Sequence, residues 1–560
     1  MEKALATPNF EELRLQIFDI SRWNDKVFFV FGYEAGLGKS RKVQQFLAEV
    51  EDKSLYVQKF EKDGELDATV ERVNLLAGKR VAERFAGDDT KSKKARKKAI
   101  EAKVLCITHK MYSQICRGLH KDLIEGRKIL CIDEYPDLLV PITVANQEIG
   151  QLWTDIYEYG FTETDELASQ LRAMLNQYSN DYKVLKDNEM VFIDFGAEKF
   201  DKYKEIIGNL LKKVKKKEHK ELLFKFQQIL NNGCYYYENA FHTFDSSAKF
   251  VMLECNIILD ANAEYDFRYS LSNKFSVKKQ PKFYDYSQAE FFHYELDTSK
   301  KALTKYINLT ENVLKEISLE GRRGVLFITD KGNKEQVEQA IEDYFNNKLE
   351  GTKETSVFSV STDYFGNLVG KNCYRTLDTV IVLKTPNFNY LTYALTNFFY
   401  KFHDNLPVGT ISIFKDEDVE RIRNSTIAGE IYQGIRRISR DNPADAKIYV
   451  FTNNQKVIDT VLEQLPNIKY NKCHINVEKR GKEQSNKTQK ELTEFEKKIA
   501  EVKSILIKAK QSGITCMKKK ELRNQVDISD KSNFSKILKA LRPFLKINEI
   551  ESNGQKLIFK

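Results

Sequence analysis

The stretch that decides the fold is Val27–Ser40, with the sequence Val-Phe-Phe-Val-Phe-Gly-Tyr-Glu-Ala-Gly-Leu-Gly-Lys-Ser. Its first part, Val27–Phe31, is entirely apolar, as expected for a parallel strand that is buried on both faces. Gly36 and Gly38 then allow a tight turn in which successive backbone N–H groups face an anion. A helix that follows such a turn adds its positive N-terminal end. The order of strand, glycine-rich turn and helix is that of a phosphate-binding loop.

The end of this stretch carries the side chains that a nucleotide site needs. Lys39 can reach the β- and γ-phosphates, and the Ser40 hydroxyl can ligate Mg²⁺. The match to the usual pattern is imperfect, because Tyr33 stands where the first glycine is normally found. The alternative is a strand–turn–helix with an exposed lysine, but the buried strand and the Gly-Lys-Ser ending together favour nucleotide binding. We therefore predict a site for ATP and Mg²⁺ that is formed by Gly36, Leu37, Gly38, Lys39 and Ser40.

The composition is that of a globular protein with several domains. Of the 560 residues, 41% are hydrophobic and 31% are charged. The 90 Lys and Arg against 81 Asp and Glu give a net charge of only +9, so contact with a polyanion should be a local groove. The eight cysteines lack metal-binding spacing, which favours free thiols in a reducing cytosol. Without an apolar run of membrane length or a signal sequence, we expect a cytoplasmic protein with no membrane partner.

Two carboxylates follow another buried strand. The apolar run Ile129–Ile132 leads directly into Asp133 and Glu134. Because an α/β sheet binds ligands at the carboxyl ends of its strands, Asp133 is expected to hold Mg²⁺. Glu134 is expected to orient or deprotonate an attacking water. An Asp-Glu pair alone is often just a turn, but its position downstream of a phosphate loop makes the prediction more specific.

Residues 140–245 are expected to form a helical insertion. Apolar residues recur there at helical spacing, and the next strand, Ile257–Leu259, is followed by a further carboxylate, Asp260. The separation between Asp133 and Asp260 far exceeds what one strand–helix–strand step needs, which supports an insertion. The run Tyr235–Tyr237 could stack on bases, but aromatic clusters are more often part of a core.

Other features of this half are weaker candidates for contact with nucleic acid. The basic run 91–98 is more often a solvated face or a mobile loop than a binding surface, and a second basic run, 212–217, lies in the insertion. Thr108, which follows the strand Val104–Ile107, is a further candidate for contacting nucleic acid.

Residues 286–477 are expected to form a second α/β lobe, which has no phosphate loop of its own. Strand-like runs alternate there with helical patterns, and this alternation implies a second parallel sheet. The candidate strands are Gly324–Thr329, Ser356–Val360, Thr379–Leu383, Thr410–Phe414 and Lys447–Phe451.

A predicted helix of this second lobe carries Gln433, Arg437 and Arg440. Arg437 and Arg440 are three residues apart and therefore lie on one helical face. They could form surface ion pairs. The functional interpretation is an arginine pair that enters from the second lobe, binds a γ-phosphate and stabilises charge in the transition state.

The C-terminal part is expected to be a separate small domain. Residues 478–490 are polar without apolar periodicity and form a linker. Within residues 491–560, three helices and a hairpin at Ser552–Gly554 are typical of a winged helix, whose third helix enters the major groove of DNA. A protein-docking module of the same shape is the alternative, and DNA is favoured. The basic residues of the third helix are Lys531, Lys536, Lys539 and Arg542.

Together these segments resemble a superfamily 2 helicase over roughly residues 20–455. Motif I corresponds to 36–40, motif II to 133–136, and motif VI to Gln433, Arg437 and Arg440, while 260–263, 324–329 and 370–372 match motifs III, IV and V loosely. Tyr33, Tyr135-Pro136 and Arg436, which stands where motif VI usually has glycine, argue against a well-studied subfamily. The large insertion is similar to that of arch-bearing iron–sulfur helicases, but no four-cysteine cluster lies between motifs I and II. Divergent helicases of this kind look like those of phages, plasmids and other mobile elements.

The resemblance implies an α/β fold with two RecA-like parallel-sheet lobes, a helical insertion and a C-terminal winged-helix domain. Lobe 1 would comprise 1–139 and 246–285, the insertion 140–245, and lobe 2 286–477, followed by the linker and residues 491–560. It implies ATP and Mg²⁺ between the lobes, with Lys39, Glu134, Gln433, Arg437 and Arg440 as catalytic groups.

The implied function is that of an ATP-dependent helicase. Its partner would be single-stranded and forked duplex DNA, with RNA not excluded, and replication or mobile-element proteins are possible partners. One alternative is a translocase that moves along duplex without separating the strands. Another is a DNA-binding initiator or assembly factor that ATP switches.

Overall fold

The computed structural model describes residues 8–59, 64–160, 162–319, 321–349, 359–368, 373–439, 445–480, 494–526, 528, 531–541, 544–545 and 548–559. The chain divides into two compact units, Met1–Thr304 with Asn308–Val477, and Lys305–Ile307 with Glu478–Lys560. The division falls at the start of the linker predicted at 478–490.

The first unit begins with alternating helices and strands. The strands are β1 (Phe28–Phe31), β2 (Ser54–Gln58), β3 (Ala82–Arg84), β4 (Val104–Thr108) and β5 (Ile129–Asp133). The helices are α1 (Glu11–Phe18), α2 (Lys39–Glu49), α3 (Glu65–Ala77), α4 (Lys93–Glu101) and α5 (His109–Cys116). Continuously apolar sequence makes β2 and β4 fully buried, as a parallel strand covered on both faces must be.

The insertion combines helices with a sheet. Its helices are α6 (Asn146–Thr154), α7 (Thr162–Asn180), α8 (Tyr182–Asp187), α9 (Asp201–Lys213) and α10 (Lys217–Asn232). Its strands are β6 (Pro141–Val144), β7 (Glu189–Ile193), β8 (Cys234–Tyr237) and β9 (Ala240–Phe244), which pair antiparallel. The prediction of a purely helical insertion is therefore wrong, because strands of four or five residues carry little periodicity in the sequence. Tyr235 and Tyr236 are buried on β8, as the core interpretation of the aromatic run predicts.

Lobe 1 is completed after the insertion by β10 (Cys255–Leu259) and β11 (Phe275–Lys278). The seven strands are all parallel and lie in the order β11-β1-β10-β5-β2-β4-β3. Because β1, β10 and β5 are neighbours, the loops that follow them meet at one edge of the sheet. The phosphate loop and the carboxylate pair are therefore brought together although about a hundred residues separate them.

Lobe 2 is a second parallel sheet. Its strands are β12 (Glu290–Tyr294), β13 (Gly324–Thr329), β14 (Ser359–Tyr364), β15 (Thr379–Val382), β17 (Lys447–Phe451) and β18 (Lys469–Cys473), in the order β14-β13-β15-β17-β12-β18. Its helices are α11 (Lys300–Leu303), α12 (Leu309–Glu316), α13 (Lys334–Leu349), α14 (Tyr390–His403), α15 (Glu417–Ile435) and α16 (Gln455–Glu463). The predicted α/β class with two RecA-like parallel-sheet lobes is thereby confirmed.

One segment predicted for lobe 2 packs elsewhere. The candidate strand 410–414 is only β16 (Ile411–Ser412), and it pairs antiparallel with β7 of the insertion rather than with the lobe 2 sheet. Helix α14 also packs into the core of lobe 1, and the Phe398 ring lies 4.9 Å from Phe244 of the insertion. An apolar pattern predicts that a strand exists but not which sheet edge it joins. Residues 390–412 therefore tie lobe 2 to lobe 1 and to the insertion.

The C-terminal unit contains three helices and a small sheet. The helices are α17 (Glu494–Gln511), α18 (Lys519–Gln525) and α19 (Lys531–Ala540), and the strands are β19 (Cys516–Lys518), β20 (Ile550–Asn553) and β21 (Lys556–Phe559). The sheet is antiparallel in the order β19-β21-β20, so β20 and β21 form the predicted hairpin. Leu506, Leu522 and Phe534 join the three helices in one apolar core.

Short 3₁₀ helices lie at Ile20–Arg22, Gly87–Lys91, Lys121–Leu123, Tyr157–Tyr159, Glu198–Phe200 and Phe267–Ser270. Within the ranges given above, no helix has both the length and the apolar character needed to cross a bilayer. Of the predicted strand Ser356–Val360, residues 356–358 fall outside those ranges.

Candidate active site

A cavity of about 490 Å³ lies within the first unit, at the carboxyl edge of the lobe 1 sheet and against lobe 2. Lobe 1 lines it with Lys39, Ser40, Asp133 and Glu134, and lobe 2 lines it with Gln433 and Arg437. Side chains that the sequence placed in three separate motifs therefore face one space.

The loop between β1 and α2 has the backbone geometry of an anion site. Gly36 has φ +94° and Gly38 has φ +81°, in the left-handed region that strongly favours glycine. Gly38 stands immediately before α2, so the N-terminal end of this helix opens on the cavity. The side chain of Leu37 instead packs against the apolar core of lobe 1, so only the backbone of Leu37 is expected to contribute to the anion site.

Tyr33, where the motif usually has glycine, serves the core of lobe 1. Its side chain is buried and its ring stacks on Phe31 at 6.0 Å between centroids. Phe10 packs against the same ring at 4.8 Å. This departure from the motif therefore has a packing role, and the two glycines with positive φ remain available for the turn.

Asp133 ends β5 beneath the loop, and its surroundings fit a hard cation. The Tyr56 hydroxyl donates to Asp133 Oδ2 at 3.1 Å. Burial raises the pKa of Asp133, and nearby Lys39 and the Ser40 hydroxyl offset this rise only in part. The half-buried Asp133 carboxylate and the Ser40 hydroxyl provide oxygen ligands, which Mg²⁺ prefers.

Few protein ligands are present at this point. Across the described ranges, no group of three or more His, Cys, Asp and Glu side chains could hold a metal ion by itself. Mg²⁺ is commonly bound through one or two protein ligands together with substrate phosphates. Ser40 and Asp133 are therefore the residues that would hold it.

Glu134 is held in an unusual backbone conformation. Its φ is +70°, which is strained for a residue with a side chain, and its N–H donates to the Leu259 carbonyl at 3.0 Å. Its Oε2 lies 3.1 Å from Lys59 Nζ. Burial acts to raise the pKa of Glu134, but Lys59, Lys39 and Arg437 outweigh it and hold that pKa below its usual value. The carboxylate is therefore ionised at neutral pH.

Arg437 faces this carboxylate from lobe 2. The helix predicted to carry Gln433 and Arg437 ends at Ile435, so Gln433 lies on α15 but Arg437 lies just beyond it, contrary to the prediction. Arg437 is 5% exposed. Burial lowers the pKa of Arg437, whereas the carboxylates of Glu134 and Glu430 act to raise it. Its Nε has no hydrogen-bond partner among the residues described. An arginine with donor capacity to spare at a cavity wall is suited to binding phosphate.

Other predicted residues have different outcomes. Arg440 and the motif V match 370–372 lie outside the described ranges, whereas Ala261 of the motif III match lines the cavity. The Thr108 hydroxyl accepts from Met111 N at 3.2 Å and so caps α5. Four basic residues were predicted on the third C-terminal helix. Lys539 is exposed there, Arg542 lies outside the described ranges, and Lys531 and Lys536 lie on α19 with side chains that the structure does not describe.

His109 illustrates how burial sets a protonation state beside the site. Burial lowers its pKa to about 4, so the imidazole is neutral at physiological pH. Its Nε2 lies 2.9 Å from the Asp133 carbonyl oxygen, which can only accept, so Nε2 carries the proton and donates. This bond fixes the backbone just before Glu134.

Three residues at the site are absent from the residues predicted from the sequence. Lys59 and Arg375 line the cavity, and Glu430 acts on the charge of Arg437. A signal for Lys59 existed, because it directly follows β2 at the same sheet edge as the carboxylates. Glu430 and Arg375 had no comparable signal, since their position depends on how lobe 2 faces lobe 1.

A comparison with protein-family models finds no match, and a comparison with curated proteins finds none. Among solved structures, S. tokodaii Xpd4 has a TM-score of 0.47 at 12% identity, over 80% of this chain and 96% of that one. A structure of apo XPD has a TM-score of 0.46 at 12% identity, over 82% and 100%. S. cerevisiae Dbp5 bound to RNA and ADP BeF3 has 0.34 at 10%, over 84% and 91%. At these scores the similarity carries no argument, and function rests on the geometry of this chain.

Proposed function

We propose that the protein is an ATP-dependent nucleic-acid helicase, acting on DNA, whose two lobes hold one triphosphate between them. The observation that carries this proposal is that Lys39 from lobe 1 and Arg437 from lobe 2 line the same cavity, with Glu134 beside both. Cationic groups on two sides of a water-activating carboxylate are what hydrolysis of a γ-phosphate requires.

Lobe 1 would hold the nucleotide. The backbone N–H groups of 36–38 and the Lys39 ammonium bind the β- and γ-phosphates. Ser40 and Asp133 hold Mg²⁺, which neutralises phosphate charge when it is bound.

The hydrolytic step would need groups from both lobes. Glu134 takes a proton from the attacking water, and its ionised state at neutral pH suits this role. Gln433 and Arg437 approach the γ-phosphate from lobe 2, and Arg437 stabilises the charge that develops there. Arg440 is proposed to join them, three residues further along the chain.

Hydrolysis would be coupled to movement because the γ-phosphate bridges the lobes. Its loss releases lobe 2, so the cleft opens and the grip on the nucleic acid shifts. Residues 390–412 connect lobe 2 with the insertion through α14 and β16. We infer that movement of lobe 2 reaches the insertion by this route and that the insertion engages duplex at a fork.

The preference for DNA rests on the C-terminal unit. Three helices and the hairpin of β20 and β21 support a winged helix, with α19 as the helix that enters the groove. Lys539 is exposed on α19. In this proposal the substrates are single-stranded and forked DNA, the partners are replication or mobile-element proteins, and the protein acts in the cytoplasm.

The direct test is a strand-displacement assay on forked DNA, run beside ATP turnover with no nucleic acid, single-stranded DNA, duplex DNA and RNA. We expect ATP-dependent displacement and stimulation by single-stranded DNA. Turnover stimulated by duplex without displacement would instead indicate a translocase. Nucleotide binding without stimulated turnover would indicate an ATP-switched initiator or assembly factor.

Lys59→Met is expected to move the acid limb of the pH–rate profile of ATP hydrolysis to higher pH. Burial of Glu134 remains in this variant while the attraction of Lys59 is lost, so the pKa of Glu134 rises. The measurement is kcat as a function of pH. Lys128→Met is the matched control, because Lys128 pairs with Asp52 at 3.0 Å outside the cavity. An acid limb that does not move would show that Lys59 has no effect on the working carboxylate.

Lys539→Glu is expected to weaken duplex DNA binding and to reduce the slope of log affinity against log salt by about one or two. The measurement is fluorescence anisotropy of labelled duplex at several salt concentrations. Lys508→Glu, an exposed lysine of α17, makes the same charge change on another helix and serves as the control. Equal losses in both variants would mean that only net charge matters and that α19 does not enter the groove.

A further inference from the structure

The residue that replaces the usual glycine of motif VI forms a contact between the lobes. Arg436, which follows α15 in lobe 2, is 3% exposed, and its Nη2 donates to the Ala35 carbonyl of the phosphate loop at 3.1 Å. Its guanidinium lies over the Tyr284 ring at 4.4 Å and near the Tyr286 ring at 5.4 Å. A buried arginine with this geometry has a fixed position and is not a solvated surface charge.

A second contact ties the same loop to the segment that connects the lobes. The Glu34 carboxylate accepts through Oε2 from the backbone N–H groups of Phe283 and Tyr284. Glu34 is 2% exposed and is close enough to Arg436 to act on its charge. The phosphate loop therefore contacts both the segment that connects the lobes and the residue that follows α15.

The contact acts on a peptide group that a phosphate would use. The Ala35 carbonyl belongs to the same peptide unit as the Gly36 N–H. When the Arg436 guanidinium donates a hydrogen bond to the Ala35 oxygen, it polarises this peptide unit and makes the Gly36 N–H a stronger donor. Gly36 lies in the left-handed region and lines the cavity, as a loop amide that receives a phosphate should.

We propose that Arg436 is a positioning residue that holds and polarises the phosphate loop, so that nucleotide affinity depends on the position of lobe 2. This inference rests on the proposed nucleotide site and adds a residue that does not touch the nucleotide. Arg436 acts through Ala35 on binding, whereas Arg437, the next residue, acts on the γ-phosphate during hydrolysis. Two neighbouring arginines at the end of α15 would therefore have separate effects, Arg436 on nucleotide affinity and Arg437 on the rate of hydrolysis.

The test separates KM from kcat. For Arg436→Gln we expect the KM for ATP and the Kd for a fluorescent ADP to rise about tenfold, the effect of losing one hydrogen bond to a charged group, with kcat changed by less than about threefold. Arg436→Lys keeps the charge and a donor and should recover part of the affinity. Arg323→Gln, at an exposed arginine of lobe 2 paired with Asp378, is the matched control.

Each outcome bears on one proposal. If the unaltered protein binds no nucleotide, the proposed function fails. If it binds and hydrolyses ATP while Arg436→Gln has unchanged KM and Kd, or loses kcat alone, this inference is overturned and the function stands. Should Arg436→Gln not fold, Tyr284→Leu removes the ring that the guanidinium covers, and it must raise Kd in the same direction for the proposal to survive.

Discussion

Lys39→Ala is expected to lower ATP turnover by at least about 100-fold and to abolish strand separation with it. The ammonium lines the cavity beside Asp133 and Glu134 and acts on the pKa of both carboxyl groups. Its removal takes away the cation that the phosphate loop is proposed to offer to the β- and γ-phosphates. The measurements are steady-state ATP turnover with single-stranded DNA and displacement of a labelled strand from forked DNA.

Lys42→Ala is the control for this experiment. Lys42 lies one helical turn further along α2, donates to Gln45 Oε1 at 2.9 Å and does not line the cavity. The Lys42→Ala variant should retain both ATP turnover and strand displacement. A Lys39→Ala protein that still separates strands at the expense of ATP would refute the placement of the nucleotide on this loop.

Arg437→Ala is expected to lower kcat by about 1000-fold while nucleotide affinity changes little, the pattern for a transition-state arginine supplied by an opposing element. This guanidinium lines the cavity, where the carboxylates of Glu134 and Glu430 favour its charged form. Its charge is therefore available to a γ-phosphate whose negative charge grows during transfer. The measurements are single-turnover hydrolysis and equilibrium binding of an ATP analogue.

The control for Arg437 is Arg323→Ala, which removes an exposed arginine of the same lobe. Its ion pair with Asp378 is surface-exposed on the arginine side, so the change should have little effect on stability and none on kcat. If Arg437→Ala raised KM and left kcat intact, Arg437 would be a binding residue only, and the catalytic role of lobe 2 would need another group.

Much of lobe 1 could be predicted from sequence because its signals are local. A continuously apolar strand, glycines at a turn and a Gly-Lys-Ser ending lie within Val27–Ser40 and need no distant partner. The Asp-Glu pair is equally local to the end of β5. That both meet in space follows from the rule that loops after neighbouring parallel strands share one edge.

What sequence could not predict depends on contacts between distant segments. The pattern of 410–414 predicts a strand, but its pairing with β7 depends on a free edge of the insertion sheet. The departure at Arg436 is visible in the sequence, whereas its partner, the Ala35 carbonyl, is 401 residues away. Lys59 is only partly predictable, because the sequence shows that it follows a strand but not that it forms an ion pair with Glu134.

The most direct test is an experimental structure of the whole protein with Mg²⁺ and ADP–beryllium fluoride. The account predicts that the fluoride group in the γ-phosphate position contacts Lys39 Nζ from lobe 1 and the Arg437 guanidinium from lobe 2, with Glu134 directed at the attacking water. A nucleotide that lobe 1 holds alone, with Arg437 turned away from it, would contradict the account.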